Sequence, residues 1–164
     1  AIPGTCIAIT LEGRRALLVE VQALTTTSPG NNPMRRTTGF DNARAAMLIA
    51  VTERAARLKL WDKDVYLATV AGAKISDPGA DLAMCLAITS AARDTALPID
   101  LVAIGEVALS GDVRPVPGMN QRLSEAARIG FKTALAPKGT RLPPGVKGLR
   151  LIEVGSLVDA VNAV

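Results

Sequence analysis

The chain has 164 residues, of which 49% are hydrophobic and 2% aromatic, with no histidine and a formal net charge of +4. The lack of histidine excludes Ser-His-Asp and Cys-His catalysis and any metal site with a histidine ligand, and we expect no metal site in this chain. Because aromatic residues are too scarce for a base-stacking platform, any contact with DNA is expected to run through phosphates.

Residues 1–164 fit one ordinary domain, since they contain no internal repeat and no interdomain linker. No stretch approaches the roughly 20 uncharged apolar residues of a membrane helix, and residues 1–4 lack a signal pattern, so we expect a cytoplasmic protein. Because the chain has no initiator methionine, we expect it to be part of a longer protein. Cys6 and Cys85 lie among apolar neighbours and are predicted to be buried, reduced thiols.

The first elements are predicted to be two antiparallel strands, residues 5–11 and 16–24, joined by a hairpin turn. Residues 25–38 are rich in Thr, Ser, Pro, Gly and Asn and are predicted to form an exposed loop. Its only charges, Arg35 and Arg36, would be able to reach a phosphate or a neighbouring subunit. The alternative is that both are solvated surface charges.

Asp41 is predicted to cap an amphipathic helix that runs to about Leu58. Residues 64–72 follow with the Val, Leu and Tyr content of a strand. Residues 80–93 are apolar on nearly every face, which predicts a buried central helix, and residues 101–109 are predicted to form one buried strand.

Pro117 and Gly118 are predicted to open a third helix, which Gly130 ends as a C-cap. Residues 131–136 and 149–154 are predicted strands, and a capping box at Ser156 begins a short terminal helix. The predicted elements begin with paired strands and continue with helices that alternate with strands. This order predicts the α+β class, with helices packed on a mixed sheet.

Residues 105–122, GEVALSGDVRPVPGMNQR, resemble the Lon protease pattern GExxLxGxVxPxGGxKEK. The shared positions are Gly105, Glu106, Leu109, Gly111, Val113, Pro115 and Gly118. Residues 77–81, DPGAD, occupy the place of the Lon segment DGPSAG, again before an apolar helix. The resemblance implies the Lon proteolytic-domain fold, which is shared with the GHMP small-molecule kinases. No phosphate-binding glycine loop is present, so the chain alone is not expected to hydrolyse ATP.

Lon chemistry needs a serine at the start of a helix and a lysine with a depressed pKa. The resemblance places the serine position at Ala80 and the lysine position at Asn120, so neither reactive group is present. Ser76, Ser110 and Lys74 lie nearby and leave open a rearranged Ser-Lys peptidase as an alternative.

With Lys74 shortly before the DPGAD turn and a hairpin at its start, the chain is similar to the C-terminal domain of the RadA (Sms) family of bacterial DNA repair proteins. This similarity implies a parent with an upstream zinc-binding segment and a RecA-like ATPase, which forms hexameric rings and drives branch migration in recombinational repair. ATP, Mg and Zn are therefore expected only in those upstream parts, and no cofactor is expected in this chain.

In that family the Lon-like domain is regarded as a ring scaffold that also binds double-stranded DNA. Lys74 and Arg114 are the first candidates for phosphate contacts, because both should flank the degenerate dyad on one face. Arg122, Arg35 and Arg36 are secondary candidates. The alternative is a pure hexamerisation module that does not contact DNA.

Overall fold

The computed structural model describes residues 1–164 as a seven-stranded sheet, a separate two-stranded ribbon and four α-helices. The strands are β1 (Thr5–Glu12), β2 (Arg15–Thr27), β3 (Arg35–Thr38), β4 (Lys63–Thr69), β5 (Leu101–Ala103), β6 (Glu106–Val107), β7 (Val113–Arg114), β8 (Thr133–Pro137) and β9 (Arg150–Val154). The helices are α1 (Asn42–Ala55), α2 (Asp81–Arg93), α3 (Met119–Ile129) and α4 (Leu157–Ala163). The predicted α+β class is confirmed.

The large sheet has the strand order β3-β4-β2-β1-β5-β8-β9 and is mixed. The pairs β1–β2 and β2–β4 are antiparallel, and the remaining neighbours are parallel. The register of β1 with β2, from Thr5 opposite Gln22 to Glu12 opposite Arg15, confirms the predicted hairpin. Strands β6 and β7 form the separate antiparallel ribbon.

Two cores lie on opposite faces of the sheet, because side chains alternate along each strand. In β1, Cys6 and Ala8 enter the larger core, whereas Ile9 enters the smaller one. Helices α1, α2 and α4 contribute to the larger core, and α3 covers the other face. Ten residues of α2 are buried, which confirms the prediction of a central helix. None of the four helices combines the length and the apolar character that crossing a membrane requires.

Local capping signals located the start of α1, the end of α3 and the start of α4. The Asp41 side chain accepts a hydrogen bond from the Arg44 amide at 3.0 Å, and Gly130 ends α3 with φ 111°. The Ser156 hydroxyl accepts from the Asp159 amide at 3.1 Å at the start of α4. Helix α1 ends at Ala55, before the predicted Leu58, and Arg57 adopts a left-handed conformation with φ 55°.

Residues 25–38 do not form one long loop. Strand β2 continues to Thr27 and β3 begins at Arg35, so only residues 28–34 connect them. The reason is tertiary, because β4 pairs along both edges: its Val65 is in register with Thr25 on one side and Arg35 on the other.

The single strand predicted at residues 101–109 is also wrong. Strand β5 ends at Ala103, and Gly105 leaves the sheet to bond with the start of α2. The Gly105 amide donates to the Gly79 carbonyl at 3.1 Å, and the Gly105 carbonyl accepts from the Leu82 amide at 3.1 Å. The second bond satisfies an amide of the first helical turn that has no partner within the helix.

Candidate functional site

A cleft of about 520 Å³ lies between the start of α1, the segment before α2 and the first turn of α2. It adjoins the DPGAD turn, to which the Lon resemblance assigns the missing serine. Six of its lining residues are charged or carry a hydroxyl: Asp41, Arg44, Lys74, Ser76, Asp77 and Asp81. Two ion pairs organise this region, and each contains one of the two carboxylates of the turn.

The first ion pair joins Arg122 in α3 to Asp77. Arg122 is 1% exposed, and its Nη1 and Nη2 atoms donate to the two carboxylate oxygens of Asp77 at 2.6 and 3.1 Å. The remaining guanidinium contacts go to the carbonyls of Ile9, at 3.0 Å, and Pro117, at 3.1 Å. A buried arginine therefore has its charge neutralised and its donors satisfied by groups from three parts of the chain.

Asp77 is held equally firmly. Besides Arg122, it accepts from the backbone amides of Leu11 and Gly79, each at 2.9 Å. Burial by itself would raise the pKa of Asp77, but these hydrogen bonds outweigh it and leave the pKa below its ordinary value. The carboxylate is therefore a fixed anion that links β1, the turn and α3.

The start of α2 offers no nucleophile. Ala80 is fully buried, and neither it nor Gly79 carries a hydroxyl. A Cβ atom on Gly79 would lie 2.9 Å from Cζ of Arg122 and closer still to Nη1. The guanidinium thus fills the space into which a side chain at residue 79 would project.

Asn120 occupies the position that the resemblance assigns to the lysine. It is exposed in the first turn of α3 and makes no side-chain hydrogen bond. A base of the Lon type needs a desolvated amine, so this position lacks the required environment as well as the required group.

The second ion pair joins Arg44 in α1 to Asp81 at the start of α2. The Arg44 Nε atom donates to Asp81 at 2.8 Å, and Nη2 forms a second, parallel bond. Asp81 also accepts from the Val107 amide at 3.0 Å, and Glu106 lies 3.7 Å from Arg44. Hydrogen bonding to Asp81 raises the pKa of Arg44, so this guanidinium stays charged at the wall of the cleft.

The rearranged Ser-Lys pair finds no support in the geometry. Lys74 is exposed, and no lysine is among the buried residues. Ser76 is exposed beside the cleft without a lysine partner, and the Ser110 hydroxyl accepts from the Asp112 amide at 3.4 Å.

The two first-choice DNA-binding candidates are both solvent-accessible. Lys74 lines the cleft, and Arg114 is exposed on β7 directly opposite Glu106 of β6. Glu106 in turn approaches Arg44, which lines the cleft together with Lys74. The DNA contact of Lys74 and Arg114 stays a prediction.

The three secondary DNA-binding candidates have different outcomes. The assignment of Arg122 to DNA is wrong, because its guanidinium is buried and fully engaged with Asp77 and two carbonyls. Arg35 lies in a strand instead of a mobile loop, and its guanidinium donates to the carbonyls of Met34, Leu60 and Lys63. Arg36 is exposed on β3 and remains a candidate.

Cys6 and Cys85 are buried and unpaired, which confirms the prediction of reduced thiols in the core. Burial raises the pKa of each thiol to about 12. Neither is therefore a thiolate near neutral pH, and neither belongs to the site.

The sequence analysis missed both ion pairs of the turn. The available signal was the presence of two carboxylates beside the most apolar helix, since a buried carboxylate needs a cation. The partners could not be identified from the sequence, because Arg122 is 45 residues from Asp77 and Arg44 is 37 residues from Asp81.

A model of the Lon protease (S16) C-terminal proteolytic domain matches residues 5–147. The chain is 47% identical over 162 residues to "DNA repair protein RadA" of Mycolicibacterium smegmatis, covering 99% of this chain and 34% of that protein. Proteins of the same name from Pseudomonas aeruginosa and Escherichia coli are 45% and 42% identical, over 99% and 97% of this chain and 36% and 35% of theirs. The chain thus spans about a third of the length of these relatives.

Proposed function

The chain belongs to the family of Lon protease (S16) C-terminal proteolytic domains, and we propose that it is the non-proteolytic Lon-like domain of a RadA-type DNA repair protein, where it assembles rings and binds DNA phosphates. The observation that carries the first part is the lack of both reactive groups. Ala80 is buried without a hydroxyl at the position assigned to the serine, and Asn120 stands at the position assigned to the lysine. A site without nucleophile or base has no route to acyl transfer.

The DNA-binding part is supported by charge and accessibility. The chain carries a net charge of +4, and Lys74 and Arg114 are exposed without an ion-pair partner. Exposed cations of this kind bind phosphates without reading the base sequence. The similarity to proteins named for DNA repair points in the same direction.

The test is the salt dependence of duplex binding, measured by anisotropy of a labelled duplex. Lys74→Gln combined with Arg114→Gln is expected to weaken binding and to reduce the slope of log K against log salt by about 1.8, because each lost phosphate contact removes about 0.9. Lys147→Gln combined with Arg150→Gln is the matched control, since it removes the same net charge from exposed positions elsewhere. Equal affinity of the Lys74/Arg114 variant and the unmodified chain at low salt would refute this part.

A pure self-association module is the second candidate, and the apolar surface favours it. Ile2 and Ile99 are 72% and 75% exposed and border a groove at the start of β1. Exposed apolar groups of this kind are typical of protein contacts. Light scattering with and without duplex separates the two functions, because a pure scaffold keeps its mass and binds no DNA.

The finer parts of the proposal concern the whole protein. We expect a bacterial, cytoplasmic parent that forms hexameric rings and uses ATP in branch migration, with ATP, Mg and Zn bound outside this chain. Residual peptidase activity is the remaining alternative, and a fluorogenic casein assay on the chain tests it directly.

A further inference from the structure

The only tryptophan of the chain projects into solvent. Trp61 is 70% exposed and lies in the turn between α1 and β4. A tryptophan side chain that keeps most of its surface in water forgoes the large stabilisation that burial would bring, which is typical of a contact residue.

The turn that carries Trp61 is held in place on both sides. Leu60 is 1% exposed, its amide donates to the Glu53 carboxylate at 2.6 Å, and its carbonyl accepts from Arg35 at 2.9 Å. On the other side, the Asp62 carbonyl accepts from the Ser28 amide at 2.8 Å, and the Lys63 carbonyl accepts from Arg35 at 2.6 Å.

These contacts give Arg35 a role other than the predicted phosphate contact, because its guanidinium clamps the turn. The backbone beside the indole is therefore ordered before any partner arrives. Ordering in advance lowers the entropic cost of binding.

Four cations lie within seven residues of Trp61 in the sequence. Arg54, Arg57 and Lys59 are exposed, and Lys63 is half-buried with its ammonium group 3.2 Å from the Thr27 hydroxyl. None of the four takes part in an ion pair. The acids of this segment compensate little: Glu53 is bound to the Leu60 amide, which leaves Asp62 as the one further carboxylate between residues 53 and 63. We call Trp61, Arg54, Arg57, Lys59 and Lys63 the Trp61 patch.

We propose that the Trp61 patch binds an unpaired DNA strand, with the indole stacked on one base and the cations on neighbouring phosphates. Stacking needs a base outside a duplex, because paired bases are covered by their neighbours, and it tolerates any base. The patch carries one aromatic ring, so it stacks on one base, and its remaining contacts with the strand are to phosphates. A second copy of the same patch is a poor occupant, since two surfaces of like charge repel each other.

This inference rests on the proposed contact of the chain with DNA, but it uses a different surface. Lys74 follows the end of β4, whereas Trp61 precedes its start. The seven residues of β4 separate the two ends by about 20 Å. The chain would thus hold duplex at one end of β4 and an unpaired strand at the other.

Because Trp61 is the only tryptophan of the chain, the protein's tryptophan fluorescence reports on binding at the Trp61 patch. Titration of the 164-residue chain with a single-stranded oligonucleotide is expected to quench the Trp61 fluorescence to saturation, whereas a blunt duplex of equal length quenches it little. In anisotropy titrations with labelled oligonucleotides, Trp61→Ala is expected to weaken single-strand binding about fivefold or more and to leave duplex binding unchanged. Trp61→Phe should recover part of the loss. Val158→Ala, which shortens an exposed apolar side chain of α4, is the matched control.

The outcomes are distinguishable. Unchanged fluorescence while anisotropy reports saturated single-strand binding would overturn the Trp61 patch and leave the proposed DNA contact standing. No anisotropy change with either DNA would overturn both. A lower mass of Trp61→Ala by light scattering, together with unchanged fluorescence in the presence of DNA, would assign the patch to contact between protein chains instead.

Discussion

Arg122 and Asp77, 45 residues apart in the sequence, form an ion pair that fastens the first turn of α3 to the segment leading into α2. The arginine side chain is 2% exposed and the aspartate side chain 13%. The same guanidinium leaves no space for a side chain at Gly79. One contact therefore stabilises the fold and excludes a side chain at Gly79, the residue before the assigned serine position Ala80.

Loss of Arg122 should be strongly destabilising. Arg122→Met is expected to lower the free energy of unfolding by about 3–5 kcal/mol, because it leaves the largely buried Asp77 carboxylate without its cation. Urea denaturation at neutral pH measures the change. Arg128→Met is the control, since it breaks a solvent-exposed pair with Glu125 and should leave the unfolding midpoint almost unchanged. A double variant, Asp77→Asn with Arg122→Met, should lose less than the sum of the two single changes, and strict additivity would contradict the coupling.

Adding a side chain at Gly79, next to the assigned serine position, should destabilise the fold. Gly79→Ser is expected to cost about 1–3 kcal/mol, because its Cβ would overlap the Arg122 guanidinium. Thermal or urea unfolding measures the loss. A variant as stable as the unmodified chain would show that the guanidinium moves aside easily.

Rebuilding the dyad at the positions given by the Lon resemblance should also fail. Ala80→Ser combined with Asn120→Lys is expected to leave casein uncleaved, because residue 80 is fully buried and residue 120 is exposed. A solvated lysine keeps an ordinary pKa of about 10.4 and is protonated at neutral pH. The fluorogenic casein assay measures the result, and cleavage above the level of the unmodified chain would show that the cleft still supports the chemistry.

The Asp77 carboxylate predicts a specific pH dependence of stability. Its pKa is lower in the folded state than its ordinary value of 3.8, so the ionised group stabilises the fold above that pH. This stabilisation begins to be lost as the pH falls below 3.8, and it is gone once the pH is below the pKa of Asp77 in the folded state. The difference in free energy of unfolding between the unmodified chain and Asp77→Asn should be constant above about pH 5 and should become smaller at acidic pH. Urea unfolding over a pH series tests this, and a difference that stays constant into acid would exclude Asp77 as its source.

The two cysteines should be unreactive in the folded protein. With a pKa of about 12 for each thiol, Cys6 and Cys85 carry little thiolate at pH values near 8, and both are buried. Reaction with a chromogenic disulfide reagent is expected only as the chain unfolds, when two thiols appear together. Rapid modification of one thiol in the native protein would indicate a local opening at β1 or α2.

Much of the fold was predictable because its signals are local. Asp41, Gly130 and Ser156 set helix ends through groups within a few residues, and the β1–β2 hairpin follows from alternation around a tight turn. The Lon-like family was recognisable from residues 105–122, whose spacing is preserved in one continuous stretch.

The sequence alone determined the helices, the α+β class and the absence of a hydroxyl or amine at Ala80 and Asn120, since each depends on the identity or spacing of neighbouring residues. Only the tertiary structure decided that Arg35 clamps a turn, that Gly105 leaves the sheet for α2, and that Arg122 is a core residue instead of a DNA contact. These outcomes depend on partners distant in sequence, because a buried charge or an unpaired backbone group takes whichever partner the packed chain brings within reach.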